Sequence, residues 1–401
     1  MAKPKLALIP AAIGTKLYSV LPSNGSGDFT FTRGSAATRI NAQGLIESVA
    51  NTSSRLNYPL LDGKVVGCPH NLLEPQRTNS LFNSQEIDNA YWFKSFVTIT
   101  PNTSISPDGT LNADTLTSSS LNSVVYRTGI TCGSLSFFAK DIDLSIGKFR
   151  ISVDGVGVGL WNKDGTLHSV SGTGTATNGV DYGNGWFRFA FNVTSGNVVN
   201  YGIGNGSGSE SILVFGLQNE PSATYSTSYI KTTTSATTRL GEVATGSGNS
   251  TTFNDSEGVL MVEIANSETS NGSYLGISNG STAERLIIGN ESGFLRVFTD
   301  VFVSGTIQSA NKDFNKIAVK YNSSNTSIYY NGFLIISINQ SANLSGINEL
   351  KFTSGGNAQN FHGKAKQLQY FDSVLTDTQL EQLTSWQSFS DMAEGQLYTI
   401  E

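Results

Sequence analysis

Residues 216–239 read GLQNEPSATYSTSYIKTTTSATTR. The stretch has no His or Cys and a single acidic residue, Glu220. Its Ser and Thr hydroxyls can satisfy turn backbone groups locally. Tyr225, Tyr229 and Ile230 can cover an open sandwich edge. These residues pack and turn, and they read as the closing strand of a β-sandwich. Just upstream, GWFRFAFNVT at 185–194 alternates in character. As a strand it places Phe187, Phe189 and Phe191 on one face and Trp186, Arg188 and Ala190 on the other. One of these faces belongs to a core.

Working outward, the same pattern recurs. SVVYRTGIT, GSLSFFAK, GKFRISVDGV, NVVNYGIG and SILVFGLQNE are short apolar runs separated by Gly, Asn, Asp and Ser. Regular short strands with turn signals predict a sandwich or barrel. A second series follows: GVLMVEIA, GSYLGIS, AERLIIGN, GFLRVFT, FNKIAVKYN, TSIYYNGFLIISI and AKQLQYFDS. Within it, Asn331-Gly332 is the preferred pair for a two-residue type I′ hairpin, whose central positions both need positive φ. One helix is signalled at 376–385. Thr376 is its N-cap, Gln379 completes a capping box, and Leu375 with Leu380 forms a hydrophobic staple.

The expected fold is therefore all-β: two consecutive antiparallel β-sandwich (jelly-roll) domains after a small N-terminal anchor segment. The boundaries read as an anchor or collar over 1–65, a first sandwich over 66–241, a Gly/Ser/Thr-rich linker over 240–252, a second sandwich over 253–387 and a tail over 388–401. In the anchor, FTFT alternates and the chain then turns through NAQG into LIESVA, a small hairpin.

Composition agrees. Of 401 residues only 14% are charged and 38% are hydrophobic, with 22 Phe and 14 Tyr. That supplies a core and excludes general disorder. Residues 1–60 hold six Lys/Arg and two acids, a local +4 within a net −6, which leaves −10 for the remainder. The basic arm is expected to dock on an acidic protein partner. Its charges are too scattered for nucleic acid. No apolar run approaches the ~20 residues needed to span a membrane, and LALIPAAI near the start has an internal proline and no clear cleavage site. Cys68 and Cys132 cannot build a disulfide framework and read as buried thiols.

With these residues in view, a resemblance emerges. Gly216, Gln218 and Glu220, then Thr227, Ser228, Tyr229 and Ile230, then Thr238 and Arg239, resemble the closing pattern of jelly-roll carbohydrate-binding-type domains in tailed-phage virion proteins. NLLEPQRTNSLFNSQEIDNAYWFKS and SPDGTLNADTLT are similar to that family's start, and FTRGSAATRINAQGLIES to its lead-in. The match covers about residues 28–240. Residues 253–386 resemble a concanavalin A-like, laminin G-like sandwich. The resemblance implies a virion fibre or appendage on the particle exterior, joined to capsid or tail proteins through residues 1–60. It also implies a homo-oligomer, a trimer before a dimer, that adsorbs to host glycans.

A glycosidase needs two carboxylates ~5–9.5 Å apart. Asp255, Glu257, Glu263 and Glu268 are scattered, and Glu263 reads as a solvated strand-face group. No nucleophile elbow, phosphate loop or zinc motif is present. The expectation is no catalytic residue, no cofactor and no metal. The alternatives are a tail-associated polysaccharide-degrading enzyme and a purely structural spacer without a ligand. Aromatic side chains remain as ligand candidates, because sugars stack on planar rings. Trp92 and Tyr91 sit in DNAYWFKS. Trp161 sits beside a turn with Asn162 and Asp164 at hand for sugar hydroxyls. For both tryptophans a core position is the reading preferred to ligand contact.

Overall fold

The computed structural model describes residues 3–266, 272–301, 304, 307–309, 313–356, 358–388, 390 and 392. It is nearly all β, in antiparallel sheets, with one short helix among the described residues. No described helix is long and apolar enough to cross a membrane. The expected tail over 388–401 lies almost wholly outside the described residues.

The first sandwich faces a six-stranded sheet against a seven-stranded one. The six-stranded sheet runs Phe93–Ser95, Ser123–Thr128, Val198–Gly204, Lys148–Val153, Gly157–Trp161, Leu167–Gly172. The other runs Val97–Ile105, Leu111–Ser118, Ser211–Pro221, Gly133–Asp141, Trp186–Asn192, Thr175–Ala176, with Val180–Asp181 also on Trp186–Asn192. The alternation of GWFRFAFN holds. Phe189 is buried between the sheets, its ring 4.7 Å from Phe149 and 5.1 Å from Trp161, and Phe191 is buried in the same cluster. Trp186 points the other way, into a cluster with Phe138, Phe215, Tyr229, Ile40 and Ile46. The outer face of this sheet is thus covered as well. The hairpin Ala37–Ile40/Ile46–Val49, turned through NAQG as expected, supplies part of that cover.

The second sandwich corrects the domain boundaries. Its large sheet runs Val243–Thr245, Phe29–Thr32, Lys16–Leu21, Leu6–Ile13, Gly363–Phe371, Gly258–Asn266, Asn315–Tyr321, Thr326–Tyr330, Phe333–Ile338. A smaller sheet built on Phe294–Thr299, Arg285–Glu291 and Ser273–Ser278 faces it. Leu6, Leu8, Leu17, Phe29 and Phe31 are buried in the same core as Leu260, Val262, Ile288 and Val319. The start of the chain is therefore not a free anchor. It is three strands of the far sandwich, and the jelly roll is inserted between them and the rest. The expected linker at 240–252 is likewise structural, since Val243–Thr245 pairs with Phe29–Thr32. Nor is the +4 of residues 1–60 an outward patch, because Arg33 and Arg55 are fully buried. Cys132 is buried as expected, but Cys68 is exposed.

The local signals hold. Asn331 and Gly332 both have positive φ, +46° and +94°. The helix Asp377–Thr384 has Thr376 as N-cap with both arms of the capping box formed. Leu375 and Leu380 pack together on the outer face of the large sheet with Val259, Met261 and Tyr329.

Candidate functional site

Where the chain passes between the sandwiches, five buried charges meet. Arg33 Nη1 lies 2.7 Å from Glu242 Oε1. Arg55 Nε donates to the same oxygen at 2.7 Å, and its Nη2 pairs with Glu242 Oε2. Arg55 Nη1 and Arg239 Nη1 lie 2.9 and 2.8 Å from Glu74 Oε2. The Glu74 backbone N–H donates to Glu242 at 2.8 Å. Burial alone would raise the Glu74 carboxyl. Arg239, Arg55 and the Ser228 donors overcome it and hold the group well below the usual carboxylate range. Glu74 is therefore a fixed anion.

The opening stretch is part of this construction. Gln218 Nε2 donates to Glu220 Oε1 at 2.7 Å, while Thr227 donates to Glu220 through N–H and hydroxyl at 2.8 and 2.7 Å. The Ile230 N–H donates to Gln218 at 2.7 Å. Ser228 caps Glu74, and Arg239 reaches both Thr227 and Ser228. The polar residues that carry the resemblance are thus a buried brace. It lays residues 225–230 over the outer face of the jelly roll.

Beside that brace is a cleft of about 300 Å³. One wall is the outer face of the seven-stranded sheet, with Phe138, Tyr182 and Arg188. The hairpin gives Thr38, Arg39 and Ile40, the brace gives Tyr225 to Tyr229, and the second sandwich gives Asn266 and Lys364. Tyr182 stands edge-on to Phe138 with centroids 4.9 Å apart. The Arg188 guanidinium lies 5.2 Å over the Phe138 ring, and its Nη2 donates to Ser136 Oγ at 3.0 Å. Arg39 pairs with Glu47 at the rim, 3.1 Å away. Burial pushes the Tyr182 phenol up, against the pull of Arg188, so it stays a neutral hydroxyl. The lining holds three cationic side chains and one carboxylate, Glu74, which two arginines already neutralise. The chain as a whole is −6.

The residues singled out from sequence fall elsewhere. Trp161 is 0% exposed and donates its indole N–H to Thr177 O at 2.7 Å. Trp92 is also buried, donating to Asn83 O at 3.1 Å. Both are core residues, and their candidacy as ligand-stacking rings is withdrawn. The cause is register: Trp161 pairs with Phe149, which directs both side chains between the sheets. Tyr91 is half-buried. It stacks on Phe82 at 5.0 Å beneath the Arg127 guanidinium. Asn162 and Asp164 close their own turn, since the Asp164 carboxylate accepts from Thr166 N–H and hydroxyl at 3.0 and 2.6 Å. Those Thr166 bonds hold its pKa down. The five residues do not form one site. Glu263, expected to be solvated, is buried and accepts from Gln367 at 2.7 Å. Glu268 lies outside the described residues. No cluster of three or more His, Cys, Asp or Glu able to hold a metal occurs among the described residues.

No protein-family model matches the chain, and no curated protein matches it. Among solved structures, it is similar to the Ruminococcus gnavus IT-sialidase CBM40 bound to alpha2,3 sialyllactose, with 19% identity over 35% of this chain and 92% of that one, TM-score 0.29. It is also similar to the heptameric SAP-like pentraxin from Limulus polyphemus, 15% identical over 33% of this chain and 71% of that one, TM-score 0.28. The Trypanosoma rangeli sialidase shows 9% identity over 72% of this chain and 62% of that one, TM-score 0.31. At such TM-scores nothing about ligand or activity passes from these proteins to this chain.

Proposed function

We propose that the protein is a non-catalytic binder of acidic glycans, which it takes into the cleft between its sandwiches. The observation that carries this reading is the lining: a wall of Phe138 and Tyr182 beside Arg39, Arg188 and Lys364, with the one carboxylate already neutralised. Aromatic faces suit the apolar faces of sugar rings, and guanidinium groups suit a sugar carboxylate or sulfate. A cleft of about 300 Å³ is at the small end for ligand sites, enough for one or two sugar units. The depolymerase alternative needs a second carboxylate and a group able to lend a proton. Glu74, held ionised by Arg55 and Arg239, is poorly suited to that role. The reading as a phage virion appendage, on the particle exterior and trimeric, rests on the motif resemblance over residues 28–240.

The test is titration of acidic and neutral oligosaccharides against the protein and the rim variants Arg39→Ala and Lys364→Ala. Each rim variant should weaken acidic-glycan binding by roughly 10-fold or more, since a hydrogen bond to a charged group is worth ~1.5–3 kcal/mol. Melting temperature should stay nearly unchanged. Trp161→Ala serves as the contrasting variant, losing ~3–5 kcal/mol of stability through a core cavity. Unaltered binding in both rim variants, or equal binding of neutral sugars, would overturn the reading.

A further inference from the structure

The three cations that line the cleft are not held alike. Arg39 is paired with Glu47 at 3.1 Å, and Lys364 also has a partner. Arg188 differs from both. It stands opposite Phe138 in the pairing of Trp186–Asn192 with Gly133–Asp141, which is why its guanidinium lies over that ring. Its Nη2 donates to Ser136 Oγ at 3.0 Å, and its Nε is buried with no hydrogen-bond partner. The charge reaches the Tyr182 phenol and the Glu220 carboxyl, and draws both pKa values down against the pull of burial. Neither acid nearby pairs with it among the described residues. Glu74 is taken by Arg55 and Arg239, while Glu220 takes its bonds from Gln218 and Thr227. A half-buried guanidinium with no anion is unusual, because charges withdrawn from water are normally paired.

We propose that Arg188 is the anion receptor of the cleft and that the group it receives is a sugar carboxylate, as in an oligosaccharide of the uronic acid type. The proposal rests on the acidic-glycan reading and narrows it. With Nε sealed and Nη2 half used, the side left to a ligand is the edge between Nη1 and Nη2. That edge offers two parallel N–H groups, which match the two coplanar oxygens of a carboxylate in a bidentate pair. A sulfate ester brings a third terminal oxygen. For it the wall of Phe138 and Tyr182 has only the neutral Tyr182 hydroxyl. The two rings, edge-on with centroids 4.9 Å apart, stand beside Arg188 and meet the apolar face of the sugar that carries the carboxylate. Arg39 and Lys364, each already engaged, add attraction at the rim. Lysine cannot replace Arg188, since a point charge has no fork.

The experiment is calorimetric titration of one uronic acid oligosaccharide in three forms: the free carboxylate, its methyl ester and a sulfate ester on the same backbone. The wild type should bind the methyl ester roughly 100-fold or more weakly than the acid, because two charge-assisted hydrogen bonds are lost. The sulfate should bind at least tenfold more weakly than the acid. Arg188→Gln should lose as much for the acid and almost nothing for the methyl ester, so the two losses do not add. Arg188→Lys should recover less than a tenth of the lost affinity. Should Arg188→Gln fail to fold, Arg188→Lys and the three ligands on the wild type decide. An ester or sulfate bound as tightly as the acid, additive losses, or an Arg188→Lys protein that binds like the wild type would each overturn the proposal. Weakened binding in Arg39→Ala and Lys364→Ala with Arg188→Gln unaffected would overturn it and leave the cleft reading in place. Failure of every acidic glycan to bind would remove both.

Discussion

Glu242 sits in what reads as a linker, yet its carboxylate is the hub of the junction. It accepts from Arg33, twice from Arg55, and from the Glu74 backbone. Glu242→Ala would leave the buried Arg33 guanidinium on the carbonyls of Ser35, Val49 and Ala50, and the buried Arg55 guanidinium sharing Glu74 with Arg239. Breaking a buried pair by removing one partner costs ~3–5 kcal/mol, because the other charge stays stranded. At ~2–4 °C per kcal/mol for a unit of 150–250 residues, melting should fall by roughly 6–20 °C. Glu242→Gln keeps the shape and one oxygen acceptor and should lose less. In the double variant Arg33→Ala/Glu242→Ala the combined loss should be smaller than the sum, since one stranded cation is gone. Calorimetry with guanidinium unfolding followed by tryptophan fluorescence measures the wild type, Arg33→Ala, Glu242→Ala, Glu242→Gln and the double variant. A loss under ~1 kcal/mol for Glu242→Ala, or strict additivity in the double variant, would refute the claim that this network locks the junction.

The N-terminal strands and Glu210 give two further tests. Deleting residues 1–32 removes Leu6, Leu8, Leu17, Phe29 and Phe31, all buried. At ~1.5–3 kcal/mol each this exceeds much of a typical stability of ~5–15 kcal/mol. Limited proteolysis should then digest the second sandwich, and a protease-resistant 253–387 fragment would show that the N-terminal strands are dispensable. The second outcome concerns Glu210. Burial would raise its carboxyl, but the hydroxyl of Ser145 and the N–H groups of Ser145, Ile146 and Gly147 bring it down to about 2 from 4.5. The native state thus holds the ionised form more strongly than the unfolded chain does. Its stabilisation is complete above pH 4.5 and is lost as pH falls through about 2. Melting temperature measured from pH 5 to pH 2 should fall less steeply in Glu210→Gln, and parallel curves would exclude Glu210 as a contributor.

What the sequence made legible was local. Phe187, Phe189 and Phe191 alternate because a strand has period two. Asn331-Gly332 turns because both positions need positive φ, and Thr376 caps because Gln379 is three residues on. Each signal is complete within a few positions. The N-terminal strands were not legible, because LALIPAAI and FTFT do not say which sheet they join. Arg33 and Arg55 read as surface charge, since Arg and Glu are almost never fully buried unless paired. Their partner Glu242 lies 209 and 187 positions away. Trp161 was only half legible for the same reason: the turn after it is visible in sequence, but the register that turns it inward depends on Phe149.

The cleft is the extreme case. It draws on the hairpin, the jelly-roll face, the brace and a strand of the second sandwich, and among these only Arg188, an arginine on the far side of WFRFAF, gave a local sign. A cleft made by two sandwiches exists only while both are held in register. Glu74 belongs to its lining and also, through Arg55, to the Glu242 network. The buried charges therefore help to hold the cleft in shape. Their desolvation cost is offset in part by the pairing itself, since each carboxylate meets two guanidinium groups. The cleft is read from contacts between distant segments, and Glu74 links its lining to buried charges that lie outside it.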